Sequence, residues 1–448
     1  MPQVRPLRGL GYALDRFSAS ALPDRIRFLG ERGATAPGHR VADLTDLACP
    51  PYDVISGSQQ AALLARHARN AVRLELSAEV NPHAAAAATL AAWQADGTLV
   101  RRSEPAIYDY RHATRAAPDL PTVHGTLARL RLEAWGPRIQ RHEHTLPGPR
   151  ADRLRLLRAT RTQLSPILVV YLDPDAPAPD DSGSPVEAWR ARDADGLLHT
   201  LTPRPPEPDR LERLAAQRLV VADGHHRYET ALAYQAELRA DPRHAAAPPG
   251  GLGADWIMVV LVNAAHEAVE IRPTHRLVRE VEPDLLRGLV SDPGPLWQAL
   301  PMAPEDLTAR LAQLGDAATP AFGLILPRNE GWLLVGDADG LADRMRRAPG
   351  SDALHGLDLS VLHTALLEDR LRIGPEIVAA GEALAYTRSE AEARAAVAAG
   401  EARAALLVRP TRLDQLAAVA SAGEVMPQKS TYFYPKLLTG LVFHPLEG

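Results

Sequence analysis

The sequence predicts a mixed α/β (α+β) protein of two lobes, on three observations. At 448 residues the chain is long for one domain. Runs with strand character, some alternating and some continuously apolar, are interleaved with stretches of helical spacing, and no fixed repeat joins them. From about residue 284 the composition shifts to alanine-rich helices alternating with short strands. The division expected is an N-terminal α/β domain over 1–280, a second α/β lobe over 281–424, and a C-terminal segment, 425–448, returning to the functional site.

In chain order, Gly9–Tyr12 and Val41–Leu44 read as short extended pieces of an otherwise irregular start. Pro50 and Pro51 fix an extended entry, and Ser56 is placed to cap a helix over about 57–68. Val72–Leu76 alternates as a strand, 82–96 is an amphipathic helix, and 105–110 and 122–135 read as strands. A helix is expected from near Asp152, a buried strand at 165–172, and a mobile surface loop over 173–187, rich in proline and aspartate. Leu219–Ala222 reads as a buried β-branched strand that turns at Asp223-Gly224 into a helix. The apolar run 256–263 is a core strand, and 322–326 and 331–335 are strands of the second lobe.

Composition narrows the function class. Apolar residues make up 46% of the chain, enough for a sizeable core, and the net charge of −5 gives no general attraction to nucleic acid or anionic membrane. One cysteine, Cys49, cannot form an internal disulfide or a cysteine-rich metal site. The N-terminus resembles neither a signal nor a transit peptide, and no apolar run reaches membrane length, so a cytoplasmic protein is expected. The sequence leaves the oligomeric state open.

The stretch Asp223-Gly224-His225-His226-Arg227 carries the chemistry. A strand, a glycine turn and a helix start make an anion site, because the N–H groups of the first turn point away from the helix. Two imidazoles and a guanidinium follow the glycine. The bland alternative is a cap at Asp223, a positive φ at Gly224 and surface histidines. Arg141-His142-Glu143-His144, if extended, places His142 and His144 on one face as a workable metal half-site; the alternative is a polar loop with chance histidines. His275 and Arg276 form a third basic element. Lys429, Ser430 and Lys436 lie in a late aromatic-rich segment that lacks the glycines of a Walker loop. That segment is either an anion contact or an aromatic plug.

Five segments occur in an order that resembles the domain-of-unknown-function 1015 family. They are Pro-Pro-Tyr-Asp-Val-Ile-Ser at 50–56, His-Glu-His-Thr at 142–145, the ten residues 222–231, Pro-Thr-His-Arg at 273–276, and 426–436. The Asp-Gly-His-His-Arg turn in turn resembles the phosphate-holding turn of the ParB and sulfiredoxin group, including its free-serine kinases. That likeness implies a ParB/sulfiredoxin-like nucleotide-binding core, ATP or ADP with Mg2+ as cofactors, and serine metabolism as a setting. His144 departs from the His-Glu-x-Thr pattern in being a histidine, which puts metal or substrate preference in doubt.

The function expected is nucleotide-dependent phosphoryl transfer to a small hydroxy metabolite, with free L-serine as the named candidate. Asp223, Glu143 and His226 are the candidate catalytic residues. Gly224, His225, Arg227, Lys429, Ser430 and Lys436 are expected to hold phosphate, and Asp53, His142, His275 and Arg276 to hold substrate. No metal ligand is assigned with certainty. As an exposed first-turn phosphate ligand, Arg227 is expected to matter for binding and little for stability. The rival readings are a metal-dependent phosphohydrolase using His142, His144, His225 and Asp223, and a non-catalytic nucleotide sensor. A DNA-binding role would need a clustered basic face that this acidic chain does not advertise.

Overall fold

In the computed structural model, which describes residues 3–18, 40–113, 122–143, 147–177, 186–244, 246–315 and 319–447, the chain forms a mixed α/β protein of two units. The first comprises Met1–Gln140, Thr145–Val269 and Pro435–Gly448; the second comprises Arg141–His144 and Glu270–Tyr434. The first unit ends at Val269, eleven residues before 280, because Glu270–Arg272 pairs with Tyr432–Tyr434, and His275–Val278 pairs with strands of the second sheet. The C-terminal segment divides at the same point, with Lys436 in the first unit and Lys429 in the second.

In the first unit the apolar run Trp256–Asn263 is buried along its whole length, as a central strand with both faces covered must be. It pairs antiparallel with Val123–Arg131 and parallel with Ile167–Tyr171. Beyond Ile167–Tyr171 come Leu219–Asp223 and Ile139–Gln140. On the other flank follow Ile107–Ala113, Leu198–Arg204, Glu187–Arg192 and Arg40–Asp43. Val4–Arg5 adds to Val123–Arg131, making ten strands. Ile107, Leu130, Val169, Val221, Tyr228 and Val259 meet in the core that fixes the helix His225–Ala240 against the sheet.

The second unit is built on six strands in the order Trp297–Pro301, Glu330–Gly336, Ala321–Leu326, Ala404–Leu407, His275–Val278, Leu384–Thr387. Phe322 and Leu324 enter one core while Ala321 and Ile325 enter another, the two-residue period of a strand buried on both faces.

Most elements match their sequence expectation: Ser56 caps Gly57–Arg66 in a reciprocal box with Gln59, and Pro82–Ala95 is a helix. Three differ. Val72–Glu75 is a one-turn helix, not a strand, because Asn70 Oδ1 accepts the Val72 N–H at 2.9 Å and both Val72 and Leu74 are fully buried. The alternation there marks two buried sides of a short helix. The helix expected from Asp152 begins at Pro147. Glu187–Arg192 and Leu198–Arg204 form a hairpin that the sequence reading left unassigned, and its first residue ends the supposed loop 173–187. The rest of that loop, from 178 to 185, lies outside the described residues, as do His144 and Thr145.

Candidate functional site

The turn of the first unit forms as the sequence dictates. Leu219–Asp223 is a strand and His225–Ala240 a helix, joined at Gly224 with φ 98° and ψ 28°. An L side chain rarely adopts that conformation, and a Cβ here would come within 2.5 Å of Ile167 Cγ2. Pairing with Ile167–Tyr171 shifts register between Val221 and Asp223, so Ala222 is the extra residue of a bulge. A bulge re-aims the side chain that follows it, and here that side chain is Asp223.

Asp223 is held between two cations. Lys436 Nζ donates to its Oδ1, and Arg227 Nη2 donates to Oδ2 at 2.7 Å. Burial alone would push the carboxyl up. Lys436 and Arg227, with His225 adding to them, outweigh burial and hold it well below the usual carboxylate range. Asp223 does not cap the helix. Arg227 Nη1 also donates to Pro166 O at 2.6 Å and to Ser165 Oγ at 3.1 Å, and its side chain is only 12% exposed. The expectation of an exposed arginine is therefore corrected: its guanidinium is tied to three protein acceptors.

The rest of the motif anchors the helix. His225 is buried beside Trp135, with ring centroids 6.2 Å apart, while His226 is half-buried. Trp135 stacks on Tyr228 at 4.3 Å and donates to Glu229 Oε1 at 3.2 Å. Tyr228 donates its hydroxyl to Glu133 O at 2.8 Å.

Sequence reasoning missed Glu75. It is 3% exposed and lines a cavity of about 60 Å³ together with Arg153, Ser165 and Arg227, room for several waters. Burial raises its carboxyl above the usual range, opposed by Arg153 and Arg227 and reinforced by Asp53. Arg153 donates to Glu75 O at 2.8 Å and lies over the Tyr52 ring at 4.3 Å. Asp53 sits exposed in the single turn Tyr52–Val54. In the alternating stretch Val72–Leu76, Glu75 shares the polar phase of Arg73, so the sequence carries no local signal of its burial.

In the second unit, Glu143 Oε1 accepts the N–H of Lys429 at 3.0 Å, and Lys429 itself takes a left-handed φ of 57°. Four residues expected to meet ligand turn inward instead. Arg276 has no exposed surface and donates to Thr274 O and to Gln428 O, the latter at 3.1 Å; burial lowers its pKa to about 10. His142 is buried, with Nε2 2.9 Å from Thr431 Oγ1. Ser430 donates to Pro427 O at 2.5 Å. These side chains shape the 426–434 segment, because a buried polar group must spend its hydrogen bonds on protein. His275 is buried too, and its Nδ1 accepts the Val408 N–H at 3.2 Å. Burial, with Arg276 adding to it, lowers His275 to about 4, so it is neutral near pH 7.

Among the described residues no helix is long and apolar enough to cross a membrane, and no group of three or more His, Cys, Asp or Glu is placed to hold a metal ion. No curated protein matches the chain. Among solved structures it is similar to a free serine kinase variant in complex with ADP, at 12% identity and a TM-score of 0.34, over 66% of this chain and 84% of that one. It is also similar to a free serine kinase in complex with AMP, at 13% identity and a TM-score of 0.34, over 66% and 83%. A conserved hypothetical protein from Pyrococcus furiosus matches at 13% identity and a TM-score of 0.33, over 67% and 89%. A family model described as a protein of unknown function (DUF1015) matches residues 31–349, which carry the Asp-Gly-His-His-Arg turn, and the chain belongs to that family.

Proposed function

We propose that the chain transfers a phosphoryl group from a nucleotide, ATP or ADP, to the hydroxyl of a small metabolite, with free L-serine the first candidate to test. The observation that supports this most directly is the Asp223–Arg227 turn. A bulge, a left-handed glycine and a sixteen-residue helix meet at one point, with a carboxylate fixed in its charged form by Lys436 and Arg227. Phosphoryl transfer asks a protein for positioning and charge neutralisation, and a helix start flanked by fixed cations supplies both.

In this reading Asp223 is not the group that takes the acceptor's proton. A carboxylate held so far below its ordinary range is a weak base at neutral pH. Its work is to fix the two cations. Both oxygens of Asp223 already face cations, so it does not fit a direct magnesium ligand, and magnesium dependence rests on assay. The metal-hydrolase reading has less support, since His142 commits Nε2 to Thr431.

The test incubates the full chain with a metabolite pool, magnesium, and ATP or ADP, and follows which compound gains phosphate. Transfer to a hydroxy compound that is lost in Asp223→Asn supports the proposal. Phosphate released only to water would favour a hydrolase, and nucleotide binding without turnover would favour a sensor; either result overturns it.

A further inference from the structure

A cavity of about 710 Å³ in the first unit is separate from the Asp-Gly turn, and it falls in the range of small-molecule sites, about 300–1,000 Å³. Its floor is one face of the sheet. On that face the strands are apolar toward one end, where Ile107, Ala128 and Leu130 join the core. Two residues on, at the spacing that keeps side chains on one face, the same strands present Asp109 opposite Thr126 and Arg111 opposite His124. Polar residues on the inward face of a central sheet are the exception that asks for a reason.

The polar groups are organised. Asp109 accepts from Arg204 Nε at 2.7 Å and from Arg210 Nη1 at 3.0 Å, and Arg210 Nη2 donates to Thr126 Oγ1 at 2.7 Å. Glu267 accepts the His124 N–H at 2.8 Å. Of the four acids lining the cavity, Asp109 and Glu267 are thus spent on protein donors, while Glu207, 3.7 Å from Arg210, and Asp209 are exposed at the start of the neighbouring helix. Four arginines line the space, and two of them are held in fixed orientation by Asp109. Burial pushes Tyr171 up to about 12, so it stays a hydroxyl donor. Leu214, Leu261 and Pro205 supply an apolar wall.

We propose that this cavity is a second ligand site, for a small molecule that joins an oxyanion, phosphate or carboxylate, to an apolar body. Oriented guanidinium groups match planar oxyanions in pairs of hydrogen bonds, and the apolar wall takes the remainder. The site and the turn occupy opposite ends of one strand: Ile167 lies under Gly224, and Tyr171 lines the cavity, about 13 Å along the chain.

Titration calorimetry of the full chain with phenyl phosphate and with benzoate, both at millimolar concentration, tests this and separates the two oxyanion sources. We expect saturable binding of at least one probe, weakened on the order of tenfold by Arg210→Gln or Arg213→Gln and unchanged by Arg243→Gln, an exposed arginine outside the cavity and the turn. Arg213 is exposed, so its substitution should leave the fold intact. If Arg210→Gln fails to fold, Arg213→Gln and Tyr171→Phe decide. No saturable binding of either probe overturns the proposal. So does binding that survives Arg213→Gln and Tyr171→Phe.

Discussion

Lys436 and Asp223 lie 213 residues apart in sequence and form an ion pair in which both side chains are largely buried. The pair fastens the last segment of the first unit to the turn that carries the motif. Removing Lys436 leaves Asp223 with Arg227 as its remaining ion-pair partner, at a cost of about 1–3 kcal/mol. Lys436→Met should therefore lower the unfolding free energy by about that much and also weaken nucleotide binding. Lys436→Arg, which keeps the charge, should recover most of the stability. Chemical denaturation of the three proteins checks this, and an unchanged midpoint in Lys436→Met would contradict the buried pair.

The same carboxylate sets a pH dependence. A folded pKa depressed below the unfolded value, about 3.9 for aspartate, means stability present above that value and lost as pH falls through the folded one. Asp223 should thus cost the protein stability progressively below about pH 5, and Asp223→Asn should flatten the profile there. Glu75 works in the opposite sense. Its raised folded pKa makes the protonated form the better one, so its contribution is fully present below about 4.3, the unfolded value, and declines as pH rises through the folded value. Glu75→Gln should therefore be tolerated near neutral pH, whereas Asp223→Asn should not. Melting temperatures from about pH 2 to pH 8 distinguish the two carboxyls.

Gly224→Ala tests the turn itself. The left-handed φ costs a non-glycine residue about 1–2 kcal/mol, and the Cβ would press on Ile167, adding about 1–3 kcal/mol of overpacking. We expect a loss of about 2–5 kcal/mol from those two terms together. Combining it with Ile167→Val should remove part of the packing term and leave the backbone term. If Gly224→Ala is as stable as the parent, the turn is not left-handed in solution.

Much of this site was legible because its determinants are local. Asp223-Gly224 breaks a β-branched run and opens a helix, and the observed bounds, Asp223 and His225, are those the pattern marks. What was not legible is burial. The sequence shows Arg276, His142 and Ser430 as polar residues beside other polar residues, and nothing local says that backbone carbonyls and Thr431 claim them. Glu75 shows the same gap from the other side, a glutamate whose enclosure depends on Arg153 and Arg227, far away in sequence. The misread strand at Val72–Leu76 has a related cause. Alternation over five residues also fits one helical turn buried on two sides, and Asn70, just before it, tips the balance by bonding to the Val72 N–H.

Arg227 decides between a turn that holds a ligand and one that only holds the fold. Its guanidinium reaches Asp223, Ser165 and Pro166 at once, which a lysine ammonium on a flexible stem cannot reproduce as a planar fork. Arg227→Lys should keep part of the attraction to Asp223 and lose the oriented bonds to Ser165 and Pro166, for a net loss of about 2 kcal/mol in stability. It should also weaken nucleotide binding, because the two cations beside Asp223 would no longer be fixed. A double-mutant cycle with Asp223→Asn should give a coupling of about 1–3 kcal/mol, as expected for groups in direct contact. Denaturation and nucleotide titration on the same four proteins read both effects. Reduced stability with unchanged nucleotide affinity would mean that the turn serves the fold alone, and the phosphoryl-transfer proposal would fall with it.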